Sequence, residues 1–269
     1  MTRPRVSRCL LLLVALLCLE AAIAHAAPDL IAVGSISGTY EDFATETAGL
    51  IENGIPGNRL GGMGSGLAYA GGNTFLALPD RGPNAKAYNS AVDDTTSYIV
   101  RFHTLSLSLA PSDAGSPLPF TLTPMVVNTT LLSSKTPLVY GTGAGVGLGS
   151  GAPALNAVDH TYYFTGRSDN FDPSKSSTNP ANARLDPEGI RVANHSRSVF
   201  ISDEYGPYVY EFDRESGRRI RALTLPAKFA VSRLSSVGAE EISGNTSGRV
   251  ANKGMEGLAI TPDGKQLVG

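Results

Sequence analysis

A repeated pair of short β-type segments constrains the fold of this chain more than any other feature. The two copies lie within residues 65–82 and 188–206, and the spacing from their glycine to their aspartate is the same without a gap. In both, 14 positions separate a glycine at the start of the first segment from an aspartate at the end of the second, namely Gly66 and Asp80, then Gly189 and Asp203. The pattern predicts two β-hairpins that place a carboxylate at equivalent positions.

A third copy begins near the end of the chain. Glu256–Ile260 repeats the Glu-Gly step, Thr261–Lys265 supplies a turn, and Gln266–Val268 begins another strand. The aspartate of this copy would fall at position 271, beyond the last residue, Gly269. We therefore expect the domain to be C-terminally incomplete.

Short β-type runs separated by Gly, Pro, Asn and Asp continue along the rest of the chain, and helical periodicity is almost absent. They are Leu67–Ala70, Thr74–Leu78, Tyr98–His103, Tyr162–Thr165, Ser198–Ser202, Val209–Asp213 and Leu258–Thr261. An all-β fold follows. Because the repeat would bring its carboxylates to one rim of a central channel, a β-propeller is favoured, with a β-sandwich as the alternative.

The N-terminus has the pattern of a secretory signal peptide. Three arginines, the last of them Arg8, precede an apolar run over Leu10–Leu19 that is short for a bilayer span, and Ala24–Ala26 is a small-x-small cleavage signal. Residues 1–26 are therefore predicted to be removed, leaving a single domain over 27–269. Both cysteines, Cys9 and Cys18, lie in the leader, so the mature domain has no disulfide.

The remaining charge restricts the partners. Without three arginines and Glu20 of the leader, 19 basic and 23 acidic residues remain, a net charge of −4, which argues against a nucleic-acid surface. No membrane span is expected after removal of the leader, and the protein is predicted to be extracellular, or periplasmic if bacterial. Glycosylation sequons begin at Asn128, Asn194 and Asn245; a glycoprotein and chance matches both remain open.

Acidic residues beside Gly or Pro mark four clusters, at Pro79–Asn84, Arg184–Gly189, Ser202–Tyr208 and Asn252–Gly257. Calcium binds carboxylate and carbonyl oxygens, which such turns offer together. Two pairs of acids occupy equivalent repeat positions, which a turn alone would not require. The predicted metal ligands are Asp80, Glu188, Asp203 and Glu256.

Other catalytic patterns are absent from the sequence. There is no Gly-x-Ser-x-Gly nucleophile elbow, and the glycine-rich run over Gly141–Gly151 lacks the spacing of a phosphate-binding loop. The mature histidines, His103, His160 and His195, are solitary and do not form a zinc-ligand pair.

The order of these motifs resembles the phytase-like domain family, also described as the esterase-like activity of phytase family. The matching segments are Asp80–Asn84, Gly166–Arg167, Asp186–Gly189, Ser202–Pro207 and Asn252–Ala259. The resemblance implies a propeller-type fold and a secreted or periplasmic setting. It also implies that calcium would neutralise phosphate oxygens and activate water, while cationic side chains hold the substrate anion, these being Arg81, Arg167, Arg184 and Lys253.

The first hypothesis is a secreted, calcium-dependent hydrolase of a small phosphoester or other ester. Its predicted catalytic residues, acting as metal ligands or water activators, are Glu188, Asp203, Glu204 and Glu256. Two alternatives remain open. One is a non-catalytic extracellular binding propeller braced by calcium, and the other is a lactonase-like enzyme, because calcium lactonase propellers also carry Glu-Gly at a blade entry.

Overall fold

The computed structural model describes residues 28–60, 62–83, 86–141, 145–194, 197–248 and 253–269. The predicted signal peptide lies outside these ranges. The described chain is all-β with few helical residues, as predicted. None of its helices is long and apolar enough to cross a membrane.

The strands are β1 Met63–Gly71, β2 Thr74–Pro79, β3 Arg101–Pro111, β4 Phe120–Leu131, β5 Ser133–Ser134, β6 Tyr162–Tyr163, β7 Pro187–Val192, β8 Ser198–Asp203, β9 Tyr208–Asp213, β10 Arg219–Thr224, β11 Ala259–Ile260 and β12 Leu267–Val268. The helix α1 spans Gly238–Ser243. Short 3-10 turns lie at Thr45–Thr47, Ser90–Val92, Ala154–Ala157 and Ala227–Phe229.

Two four-stranded sheets dominate the fold, and in both each strand pairs with its neighbours in sequence. The first has the order β1-β2-β3-β4 and the second β7-β8-β9-β10. The hairpins predicted from the repeat are β1 with β2, β7 with β8, and β11 with β12, and all three are antiparallel pairs. The repeat is therefore a repeat of structure.

The first two hairpins differ in register by one residue. Leu67 pairs with Ala77, whereas its repeat equivalent Ile190 pairs with Ile201. Both hairpins have a register shift near the repeated glycine, between Met63 and Gly66 in the first and between Pro187 and Ile190 in the second. The first hairpin has another shift, between Tyr69 and Gly71. A β-bulge adds a residue to one strand only, so equal spacing in sequence does not ensure equal pairing.

One apolar core joins the two sheets. It takes side chains such as Leu76, Leu78 and Phe102 from the first sheet, and Ile201 and Phe212 from the second. All five are fully buried. Each such side chain contributes about 1.5–3 kcal/mol when it leaves water.

The first strands of the two sheets approach each other through glycine. A Cβ built on Gly66 would lie 3.0 Å from the Ile190 nitrogen and 3.3 Å from the Glu188 carbonyl oxygen. A larger residue at this position would therefore push β1 away from β7. The absent side chain lets the backbones of these strands lie close enough to share a site at their ends.

By its internal contacts the chain forms two compact units. The described part of the smaller one comprises residues 28–33 and Ala110–Thr121, where the Phe120 amide donates to the Ile31 carbonyl at 3.1 Å. The larger one comprises Gly34–Leu109 and Leu122–Gly269 and contains all the predicted site residues.

Candidate metal and substrate site

Three carboxylates meet where β2 ends and β7 begins. Asp80 directly follows β2, Asp186 directly precedes β7, and Glu188 lies within β7. One oxygen from each lies within 4.8 Å of the others, and we call these three residues the carboxylate cluster. The close approach of β1 to β7 at Gly66 brings the end of the first hairpin beside the start of the second.

Asp186 is the most enclosed member of the cluster. Its side chain is completely buried and forms an ion pair with the Arg81 guanidinium through Oδ2. Its Oδ1 is also buried and has no hydrogen-bond donor among the described residues. Burial raises the pKa of Asp186 well above its usual value, although the charge of Arg81 opposes that change. A buried acceptor of this kind is costly unless a ligand satisfies it.

Glu188 faces several negative charges. Burial, followed by the charges of Asp80, Glu256 and Glu204, raises the pKa of Glu188 to about 7, while Arg81 opposes the shift. Like charges gathered at one place favour either protonation or a bound cation. Carboxylate oxygens are the ligands that hard divalent cations prefer, so the residues present fit calcium in ligand type and charge.

Asp203, a predicted metal ligand, lies outside the carboxylate cluster. It ends β8, as its repeat equivalent Asp80 follows β2, and it is buried. Its Oδ1 accepts hydrogen bonds from the backbone amides of Asp186 and Tyr205, each at 3.1 Å. The structure thus places Asp203 behind the cluster, where it orients the loop that carries Asp186.

Glu204 and Glu256 lie around the cluster without being part of it. The Glu204 amide donates to the Asp186 carbonyl oxygen at 2.8 Å. Gly254 packs against Glu204 so closely that any side chain there would overlap it. The charges of both glutamates act on Glu188, which places them near the same carboxylates.

The predicted anion-binding residues divide into two groups. Arg81 keeps a quarter of its side chain exposed, and Lys253 is exposed. Arg167, by contrast, is buried and donates to Asp169 at 2.5 and 2.8 Å. Arg184 is buried as well, and donates to Glu241 at 2.8 Å.

Arg184 also lies between two aromatic rings, with its guanidinium carbon 4.6 Å from the ring centre of Phe171 and 4.8 Å from that of Tyr205. Cation–π contacts and an ion pair together hold this side chain in place. Tyr205 lies in turn 5.9 Å from the Arg81 guanidinium carbon. The Tyr205 ring thus lies near the guanidinium groups of both Arg81 and Arg184.

Asp186 was not among the residues selected from the sequence as metal ligands, although it belongs to one of the acidic clusters. That selection relied on equivalence between repeats, and the repeat equivalent of Asp186 is Met63. The sequence feature that could have identified Asp186 as a ligand is its position two residues before Glu188, next to Pro187 at the start of a predicted strand.

The fold and the cluster together define an all-β protein with an acidic site at the ends of adjoining strands. The family model described as "Phytase-like: Esterase-like activity of phytase" matches residues 58–269, and the chain belongs to this family. The resemblance inferred from the motifs is confirmed.

One curated relative is described as a secreted protein. An "Uncharacterized secreted protein" of Arthroderma benhamiae is 38% identical over 96 residues, which cover 31% of this chain and 18% of that protein. The match thus spans less than a fifth of the relative's length. No solved structure matches the chain.

Proposed function

We propose that this protein is a secreted hydrolase of ester bonds that works with calcium bound by Asp80, Asp186 and Glu188. The observation that carries the proposal is the buried Asp186 carboxylate, which has an unpartnered oxygen beside two further carboxylates within 4.8 Å. The family description, which names an esterase-like activity, supports ester-bond cleavage. The "secreted" relative and the leader pattern of residues 1–26 support export of the domain over 27–269.

We further propose that the sheets are successive blades of a β-propeller. Two four-stranded sheets in simple sequence order suit this architecture. Gly66 of the first faces Ile190 of the second, and Gly189 of the second faces Leu258, which precedes β11. The same strand of each repeat thus packs against the same strand of the next, as it would around a central channel.

In this proposal the chain's own residues divide the work. Arg81, paired with Asp186 and partly exposed, and the exposed Lys253 bind the anionic part of the substrate. Glu204 and Glu256 supply further carboxylates beside the cluster for water activation, and Asp203 holds the Asp186 loop. Bound calcium supplies positive charge for the developing negative charge of the reaction and lowers the pKa of water.

Calcium titration of thermal unfolding tests the site. A ligand that binds only the folded protein stabilises it by about 2.7 kcal/mol at a hundredfold excess over its Kd, so calcium should raise the Tm relative to chelator. Asp186→Asn should abolish this rise. Glu241→Gln is the matched control, because Glu241 is also a buried acid paired with an arginine, Arg184. Its Tm should fall while the calcium response persists.

A substrate panel of phosphate monoesters, carboxylic esters and lactones tests the activity. Calcium-dependent turnover that Asp186→Asn removes would support the hydrolase. Calcium-dependent stability without turnover would favour the binding propeller, and turnover of lactones alone would favour the lactonase. A calcium response that survives Asp186→Asn unchanged would exclude the proposed ligand set.

A further inference from the structure

An apolar cavity lies next to the carboxylate cluster. Its volume is about 370 Å³, within the range of about 300–1,000 Å³ usual for small-molecule sites. Most of its wall is apolar, contributed by Pro207, Leu225, Phe229, Val231 and Met255. The repeat does not account for this wall, because Leu225, Phe229 and Val231 follow β10 and lie outside the repeated hairpins.

The cavity shares two lining residues with the proposed reaction site. Glu204 and Lys253 both line the cavity. Glu204 is bonded through its amide to Asp186 and acts on the pKa of Glu188. A molecule with its apolar part against Phe229 would therefore present its polar part to the groups that we assign to catalysis.

The apolar wall suits a substrate with an apolar group better than a highly phosphorylated one. Five carboxylates lie in or around the cluster, those of Asp80, Asp186, Glu188, Glu204 and Glu256. Against them stand the cations Arg81 and Lys253. A ligand with many phosphates would depend on bound calcium to offset these carboxylates, and it would leave the apolar wall without a partner.

We propose that the cavity is the subsite for one apolar substituent, an aryl or alkyl group, of an ester whose scissile group lies between Glu204 and Lys253. This inference rests on the proposed function and names its substrate class. A carboxylic ester with an apolar acyl chain and a phosphate monoester of an aryl alcohol share this chemistry. The experiments below separate them.

Binding of naphthol, followed by its fluorescence with chelator present, tests the cavity without turnover or metal. Saturable binding is expected, and Phe229→Asp should weaken it several-fold, because the change replaces a half-exposed apolar ring of the wall by a charge. Phe229 is 47% exposed, so the change should leave folding intact. Leu225→Ala, a milder truncation of the wall, should weaken binding in the same direction.

Ile220→Asp is the matched control, since Ile220 is 57% exposed on β10 and does not line the cavity. It should leave naphthol binding unchanged. Equal loss in the control, or no saturable binding to the unaltered protein, would overturn the subsite.

Two substrate series then identify the source of the apolar group. With nitrophenyl alkanoates, kcat/KM should rise about fourfold per methylene until the cavity is full if an acyl chain occupies it. With phosphates, naphthyl phosphate should exceed glycerol phosphate if an aryl group occupies it. Turnover that is indifferent to both series would refute the subsite and leave the hydrolase standing. Naphthol binding without any turnover would support the subsite and count against the hydrolase.

Discussion

The two four-stranded sheets have the same strand order, yet the residues that end their second strands have different uses. In the first sheet Asp80 joins the carboxylate cluster and Arg81 pairs with Asp186. At the equivalent positions of the second sheet, Asp203 accepts two backbone amides, and Glu204 lines the apolar cavity. A repeated backbone thus carries a single, asymmetric site.

The difference between the two sheets lies in charge at one position. Burial raises the pKa of both Asp186 and Glu188; the charge of Arg81 opposes this rise, whereas the charge of its equivalent Glu204 adds to it. A cation on one side and an anion on the other leave the cluster negative but not entirely uncompensated. The repeat places Arg81 and Glu204 at equivalent positions beside the carboxylate cluster, and their opposite charges make the surroundings of the cluster asymmetric.

The largest expected effect is that of removing the cation. Arg81→Met would leave the buried Asp186 without its ion-pair partner, and we expect a loss of about 3–5 kcal/mol in the free energy of unfolding at neutral pH. Urea unfolding with chelator present measures it. Because protonation of Asp186 would relieve the lone charge, the loss should shrink as the pH is lowered.

An ion pair of the second sheet provides the comparison for that change. Arg221 pairs with Glu211 at 2.6 Å, but its side chain is 59% exposed. Arg221→Met should therefore cost less than about 1 kcal/mol. If both arginine variants lost the same amount, the burial of Asp186 would not be the cause.

Removal of the two repeated aspartates should affect different properties: Asp203 the stability of the metal-free protein, and Asp80 the response to calcium. Asp203→Ala leaves two backbone amides without acceptors, at about 1–2 kcal/mol each, so we expect a loss of about 2–4 kcal/mol with chelator present. Asp80→Ala should change stability by less than about 1 kcal/mol, because it also removes a like charge beside Asp186 and Glu188. It should, however, abolish the rise in Tm with calcium. Loss of the calcium response in Asp203→Ala alone would reverse the two roles.

Much of the scaffold could be predicted from residue spacing. The strict separation of Gly66 from Asp80 and of Gly189 from Asp203 identified both hairpins, and each is present. The register within them was not predictable, because a bulge such as the one at Gly71 changes pairing without changing sequence length. The strands β4 and β10 were missed. Both are outer strands with few buried side chains, and their alternation of apolar and polar residues, over 120–123 and 219–222, is too short to stand out from the surrounding loops.

The site was predictable where it follows the repeat and unpredictable where it departs from it. Asp80 and Glu188 were selected, and the fold brings them together. Asp186 was missed because Met63 is its repeat equivalent. Arg184, a predicted anion-binding residue, is buried and pairs with Glu241 of α1, a helix that no local sequence pattern predicts.

The glycines at the sheet contact give a further comparison. A Cβ on Gly189 would lie 2.8 Å from both Leu258 and Ser202, and one on Gly66 3.0 Å from a backbone nitrogen, whereas Gly257 faces open space. Gly66→Ala and Gly189→Ala should each cost about 1–3 kcal/mol by overpacking, and Gly257→Ala less than about 0.5 kcal/mol. Equal costs at all three, measured by thermal unfolding, would show that the close strand contacts at Gly66 and Gly189 do not set the effect.

The third strands differ in how they treat a polar side chain at the same place. Ala77 pairs with His103 in the first sheet, and its repeat equivalent Phe200 pairs with Glu211 in the second. Glu211 is held by Ser198 and Arg221. His103 is fully buried and its Nε2 has no partner among the described residues.

The smallest expected effect is an acid sensitivity confined to the first sheet. Burial, and then the charge of Arg101, lowers the pKa of His103 to about 3. Since a histidine in the unfolded chain titrates near 6.5, the unfolded state gains a proton first as the pH falls, so stability is retained above about pH 6.5 and lost toward pH 3. His103→Gln should remove about 1.4 kcal/mol of the stability difference between about pH 7.5 and pH 5.5. Gln can still bond to Thr129, the partner of the His103 Nδ1, so the comparison isolates the charge. An unchanged pH dependence in urea unfolding would mean that the carboxylates, and not the buried histidine, govern the acid limb.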